Sequence, residues 1–265
     1  DDVKSVYQFE AKQKIGWALN RNNEGLLKKV NEFIEAHHTF NNIPTAKRTW
    51  AEIKKLGYLR VLVRNNPYTY YLYKGQIKGF EYELVCLFAK KNGLVPFFVV
   101  VPEWEYLIPW FNDGKADMIA STMTHNQARD AIKGIDFCRP YGKFTEQVIG
   151  RKSEPVKNLA GLAGRTICVR MSSSYWNTAK KIQDSGVKVN LLAVPENMET
   201  FEILDMVASG KYDLTICDSN IADVEIENTD KIQPFFNVGD TKSYGWIVRD
   251  GVQEFMKAGD SFFSD

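Results

Sequence analysis

The sequence predicts an α/β protein of two lobes, each a mostly parallel sheet flanked by helices, joined by two hinge crossings. Three observations predict it. Short β-branched apolar runs alternate with amphipathic helical stretches, the order of βαβ units. That order occurs twice, once in each half of the chain. Polar and hydroxyl-rich loops follow several strands, at the ends where open α/β sheets collect ligands. The 265 residues are 44% hydrophobic, enough for a core in one or two domains.

Leu59-Arg60-Val61-Leu62-Val63 alternates and reads as a strand. A helix follows from about Glu81, with Leu84, Leu87 and Phe88 on one face and a stop at Asn92-Gly93. Residues 95–101 form a buried strand, and 105–112 a short helix ending at Asp113-Gly114. Residues 116–120 form another strand. The polar stretch 121–126 then leads to a helix near Gln127, with Asn126 as its N-cap. The second half repeats the rhythm: strand 166–169, loop 172–174, helix 175–184, strand 187–192, helix 199–208 and strand 212–217, with Asp218 at its end. Extended segments near 146–151 and 234–239 are the expected crossings, and two crossings make a hinge with a cleft. The strand ends facing that cleft are Arg64 to Tyr71, Ser121 to Arg129, Met171 to Tyr175, and Asp218.

Composition narrows the function classes. A formal net charge of +1 gives no global field for nucleic acid or a membrane surface. No apolar run reaches the 18 or so residues of a membrane helix, so no direct insertion is expected. The chain opens on Asp1-Asp2-Val3, which reads as a processed protein or an excised fragment. Cys86, Cys138, Cys168 and Cys217 lack metal or redox spacing and are expected as buried free thiols. Because Cys168 and Cys217 both end strands, a disulfide between them stays open. His37-His38 sits on a helix end without ligand spacing, so no metal site and no cofactor is expected.

The run from Asp117 to Arg129 carries the functional reading. Thr122, Thr124 and Arg129 follow a strand at fixed spacing, and a guanidinium fork at a helix start suits a carboxylate. In this pattern the chain resembles the amino-acid-binding branch of the periplasmic solute-binding proteins, with their type II fold. Other stretches resemble the same family: Lys78 to Leu84, Trp104 to Pro109 with Gly114 to Asp117, Ile135 to Tyr141 after two extra residues, Val169 to Tyr175, and Gly210 to Asp218. The resemblance implies that Thr122, Thr124 and Arg129 bind an α-carboxylate and that Asp218 binds the α-amine. It puts Ser173 and Ser174 on a ligand loop, and Tyr68, Tyr71 and Trp104 on the walls around the ligand side chain. Each position has a plainer reading beside it. Arg129 suits a solvated surface, Asp218 or either serine suits a helix cap, and the aromatics suit the core.

Residues 16–34 align without gaps on 245–263, pairing Gly16-Trp17 with Gly245-Trp246 and Phe33-Ile34 with Phe262-Phe263. Both copies resemble the family's closing strand and helix. Residues 1–45 therefore read as the tail of a preceding module, or as a permuted closing unit. Lobe 1 is expected at 46–145, lobe 2 at 146–238, and a return to lobe 1 at 239–265. Tandem modules of this kind resemble the regulatory regions of membrane-bound lytic murein transglycosylases and some sensor kinases.

The resemblance thus implies an extracytoplasmic module that closes on a free amino acid or short peptide, for transport or for sensing. Its partner would be a permease, a fused transglycosylase domain or a kinase. Two other classes stay open: a small-carboxylate dehydratase using Asp218 or Glu81 as acid or base, and a ligand-less protein-interaction module.

Overall fold

The structure is a computed structural model and describes residues 25–30 and 45–264. Gly16, Trp17, His37 and His38 lie outside the described residues. Residues 25–30 are helical, as are the positions 254–259 with which the internal repeat aligns them. The segment Thr45–Asp265 forms its own unit.

That unit begins with α1 (Trp50–Leu56), which the sequence pattern did not predict because it is only seven residues long. Thr49 and Glu52 form a capping box at its start, and Gly57 ends it at φ 75. Then come β1 (Tyr58–Val63) and a hairpin of β2 (Tyr71–Tyr73) and β3 (Gln76–Lys78). Next are α2 (Phe80–Lys91), β4 (Val95–Val100), a tight helical turn at Trp104–Tyr106 and α3 (Leu107–Asn112). β5 (Met118–Ile119), β6 (Thr124–His125), α4 (Gln127–Asp130) and β7 (Ile135–Phe137) complete the first pass. The long β8 (Gly142–Arg151) leads to the second lobe. That lobe holds β9 (Thr166–Val169), α5 (Ser174–Asp184), β10 (Asn190–Ala193), α6 (Thr200–Ala208), β11 (Leu214–Asp218) and α7 (Ser219–Asn228). β12 (Ile232–Tyr244) returns, and β13 (Ile247–Arg249) and α8 (Gln253–Phe262) close the chain.

One sheet has the order β4-β1-β5-β13-β7 and the other β10-β9-β11-β8-β12-β6. Each is parallel where βαβ units build it: β1 lies parallel to β4 and β5, and β9 parallel to β10 and β11. Each turns antiparallel where a returning strand enters, at β13 in the first and at β8 and β12 in the second. β8 and β12 pair with one another from Ile232↔Arg151 to Tyr244↔Gly142. They include the two segments expected to cross, and they run longer than the sequence suggested.

The first lobe packs Val61, Phe88, Met118, Phe255 and the fully buried Trp246 into one core. Trp246 meets Phe88 edge-on at 5.3 Å and stacks on Phe262 at 5.7 Å. The second packs Val148, Ile167, Ala179, Leu204, Leu214 and Ile216. All four cysteines are free thiols, so Cys168 and Cys217 are not bridged, and Cys86 is half-buried rather than buried. Among the described residues no helix is long and apolar enough to cross a membrane, and no group of His, Cys, Asp and Glu could hold a metal.

Candidate ligand-binding site

The first wall of the site grows out of β5. Asp117, just before that strand, is buried and receives Nε of Arg48 at 2.9 Å together with the backbone N–H and Nη2 of Arg60 at 2.8 and 2.9 Å. Burial pushes its carboxyl up, but the hydrogen bonds from Arg48 and Arg60 outweigh that and hold it below the usual range. Asp117 therefore anchors the strand that leads to the loop and stays out of the cavity. Ser121 follows, and Thr122 turns the chain with φ 47. Glu81 holds that turn by accepting the Thr122 N–H at 2.7 Å. The same carboxylate accepts the Tyr141 hydroxyl and Trp246 Nε1. Glu81 is thus a fully occupied anchor that does not line the cavity, which removes it as an acid or base.

Thr124, on β6, is tied to the crossing strand β12 by its pairing with Tyr244. Asn126 caps α4 by accepting the Arg129 N–H at 2.9 Å. This places the Arg129 side chain back over the loop, where Nη1 donates to the Thr124 carbonyl at 2.7 Å. His125 points away, bonded to Asp130 and stacked on Phe137.

The second wall comes from the other sheet. After β9, Ser173 Oγ donates to the Arg170 carbonyl at 2.7 Å instead of capping α5. Ser174 Oγ lies 3.4 Å from Thr124 Oγ1, so the hydroxyl at the start of α5 meets that of β6, the edge strand that β12 joins to the same sheet. Ser172 takes an ordinary negative φ where the related pattern has glycine, so the loop needs no left-handed residue there. Asp218 ends β11 and occupies the N-cap position of α7, but its side chain makes no capping bond. It is buried, and its Oδ1 has no hydrogen-bond partner among the described residues. Burial and the neighbouring Glu146, paired with it across β11 and β8, push its carboxyl well up, while Tyr175, Lys242 and Arg129 oppose them. Arg129 in turn is pushed down to about 10 by burial, with Asp218 the largest influence resisting.

Thr122, Thr124, Arg129, Ser173, Ser174, Asp218, Tyr68 and Trp104 all line one interlobe cavity of about 40 Å³. Tyr71 does not line it. Its backbone pairs with Lys78 in the hairpin, and its ring sits 6.4 Å from that of Tyr73, outside the cleft. A second cavity of about 340 Å³ shares Trp104, Arg129, Ser173 and Ser174 with the first.

The cavity is also lined by Arg170, Glu199, Thr200 and Phe201, which sequence reasoning missed, and by Asn66 and Tyr175, which fall within the strand-end stretches it named. Beside them Arg64 Nε donates to Glu199 Oε1 at 2.8 Å, and Asn66 Nδ2 to Glu199 Oε2 at 3.0 Å. These bonds link the end of β1 to the start of α6, one lobe to the other. Tyr68 adds a second link through its hydroxyl, which donates to Glu225 on α7. The strand-end rule pointed to Arg64 and to the turn after β9, but no local pattern announces Glu199.

A profile of the bacterial extracellular solute-binding proteins, family 3, matches residues 59–261. The chain belongs to this family. Its relatives include the membrane-bound lytic murein transglycosylase F of Desulfosudis oleivorans, 33% identical over 81% of this chain and 46% of the relative. The protein of the same name from Pseudomonas putida is 30% identical over 77% of this chain and 42% of the relative. The chain thus spans less than half the length of the curated relatives it matches. Similar solved structures include an ancestral amino acid-binding protein described as a precursor of cyclohexadienyl dehydratase, with TM-score 0.71, 24% identity and coverage of 81% of this chain and 91% of that one. Another is an amino acid transporter substrate-binding protein from Streptococcus pneumoniae bound to L-arginine, with TM-score 0.71, 21% identity and coverage of 81% and 90%. These likenesses establish the fold: family 3 solute-binding proteins have the two-lobed type II architecture described above.

Proposed function

We propose that this chain closes on a small amino-acid-like ligand, a free amino acid or short peptide. Arg129, Thr124, Thr122 and the Ser173-Ser174 turn take the carboxylate, and Asp218 takes the amine. Tyr68 and Trp104 form side walls. The observation that carries this reading is the buried, unpartnered oxygen of Asp218 in the same cavity as the Arg129 guanidinium. A buried carboxylate left without a donor is costly unless something else supplies one. An ammonium group would supply it, and the ligand's carboxylate would meet the guanidinium in charge-assisted bonds.

Acid–base chemistry would need a second free group beside Asp218. The other carboxylate lining the cavity among the described residues, Glu199, is held by Arg64 and Asn66. Binding is therefore favoured over a dehydratase reaction. The names of the relatives favour a murein transglycosylase domain as the partner, with closure reporting the ligand to it in the cell envelope.

Mass spectrometry of small molecules released from the purified protein, with a thermal-shift screen of amino acids and short peptides, tests this. A released amino-acid-like compound that raises Tm in the parent and not in Arg129→Ala supports it. No shift with any compound, or an equal shift in Arg129→Ala, overturns it.

A further inference from the structure

The cavity holds a charge arrangement that the carboxylate–amine clamp does not use. Arg170, immediately after β9, lines the cavity and is only 3% exposed. Its Nη1 donates to the Met198 carbonyl, and its guanidinium carbon sits 5.2 Å from the centre of the Trp104 ring. Its Nε is buried with no hydrogen-bond partner among the described residues. The nearest carboxylate, Glu199, approaches no closer than 4.0 Å. That carboxylate is already engaged: Arg64 holds Oε1 and Asn66 holds Oε2. Glu196, the other acid near Arg170, is turned toward Ser172. Two buried guanidiniums, Arg64 and Arg170, thus share one carboxylate, and the unused donor belongs to the one that lines the cavity.

We infer that Arg170 is a specificity-determining residue that selects a ligand carrying a second carboxylate, that is, an acidic amino acid. This rests on the amino-acid reading above. With Arg129 and Asp218 balancing the ligand's α-groups, the buried and unpartnered Nε donor of Arg170 calls for an anionic acceptor on the ligand side chain. A cationic side chain would find the Glu199 oxygens occupied and would face Arg170 directly. A neutral amide would accept one bond from Arg170 but leave the charge uncompensated. Thr200 adds a hydroxyl to the lining of the same cavity.

Isothermal titration of the chain with aspartate and glutamate against asparagine and glutamine, in both enantiomers, tests it. Acid over amide by about tenfold or more is expected, since a charge-assisted bond is roughly twice as strong as a neutral one. Arg170→Gln should bring that ratio to about one, and Arg170→Lys should keep part of it. Should Arg170→Gln fail to fold, the parent ratio and Arg170→Lys decide. Equal or tighter binding of amides, a preference for cationic amino acids, or an unchanged ratio in Arg170→Gln overturns the inference while leaving the amino-acid reading intact. Binding of no amino acid overturns both.

Discussion

Glu81 Oε1 accepts the Thr122 N–H at 2.7 Å, and the residue so held has φ 47 without being glycine. A left-handed L-residue costs roughly 1–2 kcal/mol, so the loop keeps this turn only while something holds it there. Glu81 does so from α2, and through Trp246 it ties the same point to the segment that closes the lobe.

Glu81→Ala should therefore destabilise the protein by about 2–4 kcal/mol, since it strands buried donors of Thr122, Tyr141 and Trp246. Urea denaturation measures the loss. In the molecules that remain folded, ligand affinity should also fall, because Thr122 is released.

Asp218→Asn should separate function from stability. It removes a buried charge with a free oxygen, so the ligand-free protein should gain about 1–3 kcal/mol near neutral pH and lose ligand binding. The pH sign follows from the raised carboxyl. Its folded-state pKa lies above the unfolded value, so its contribution is fully present below the unfolded pKa and is lost as pH rises through the folded one. The Tm advantage of the variant should thus be larger at about pH 8 than at about pH 5 in thermal scans.

Arg64 and Glu199 bridge the lobes, so their loss should act on closure. Glu199→Ala leaves a buried guanidinium without its carboxylate, a penalty of about 3–5 kcal/mol against the closed form. Small-angle scattering should show a larger radius of gyration for the ligand-free variant. A radius equal to that of the parent would remove the pair as a latch.

Asp117 should matter for stability alone. Asp117→Asn disrupts its pairs with Arg48 and Arg60 and should cost about 3–5 kcal/mol. Because the folded-state carboxyl is held low, its stabilisation is present above the unfolded pKa and fades as pH falls through the folded one. The gap between parent and variant should narrow in acid denaturation, and ligand affinity per folded molecule should stay level.

Much of this was legible in the chain. The strand–helix alternation located β1, β4, β9 and α5 to within a residue or two, because burial on one face imposes a period that composition reveals. The spacing from Thr122 to Arg129 was legible because the strand end, the Asn126 cap and the guanidinium are local. Arg170 and Glu199 were not, since their significance arises only when turns 135 and 29 residues apart meet Arg64 and one another. Tyr71 misled because the hairpin register, which carries it out of the cleft, depends on the left-handed pair Lys74-Gly75 that no periodicity reports. Glu81 looked like a cleft acid for a similar reason: its three donors come from distant segments.

The pairing of β6 with β12 carries one more consequence. Thr124 is stitched through Tyr244 to a strand that runs the length of the hinge ribbon, whose register slips at Pro234–Phe236 and Val238–Lys242. A pull on Thr124 is therefore transmitted along a hydrogen-bonded lever, with compliance concentrated at those two slips. Stiffening either slip should therefore dull closure on a ligand without touching the cavity itself.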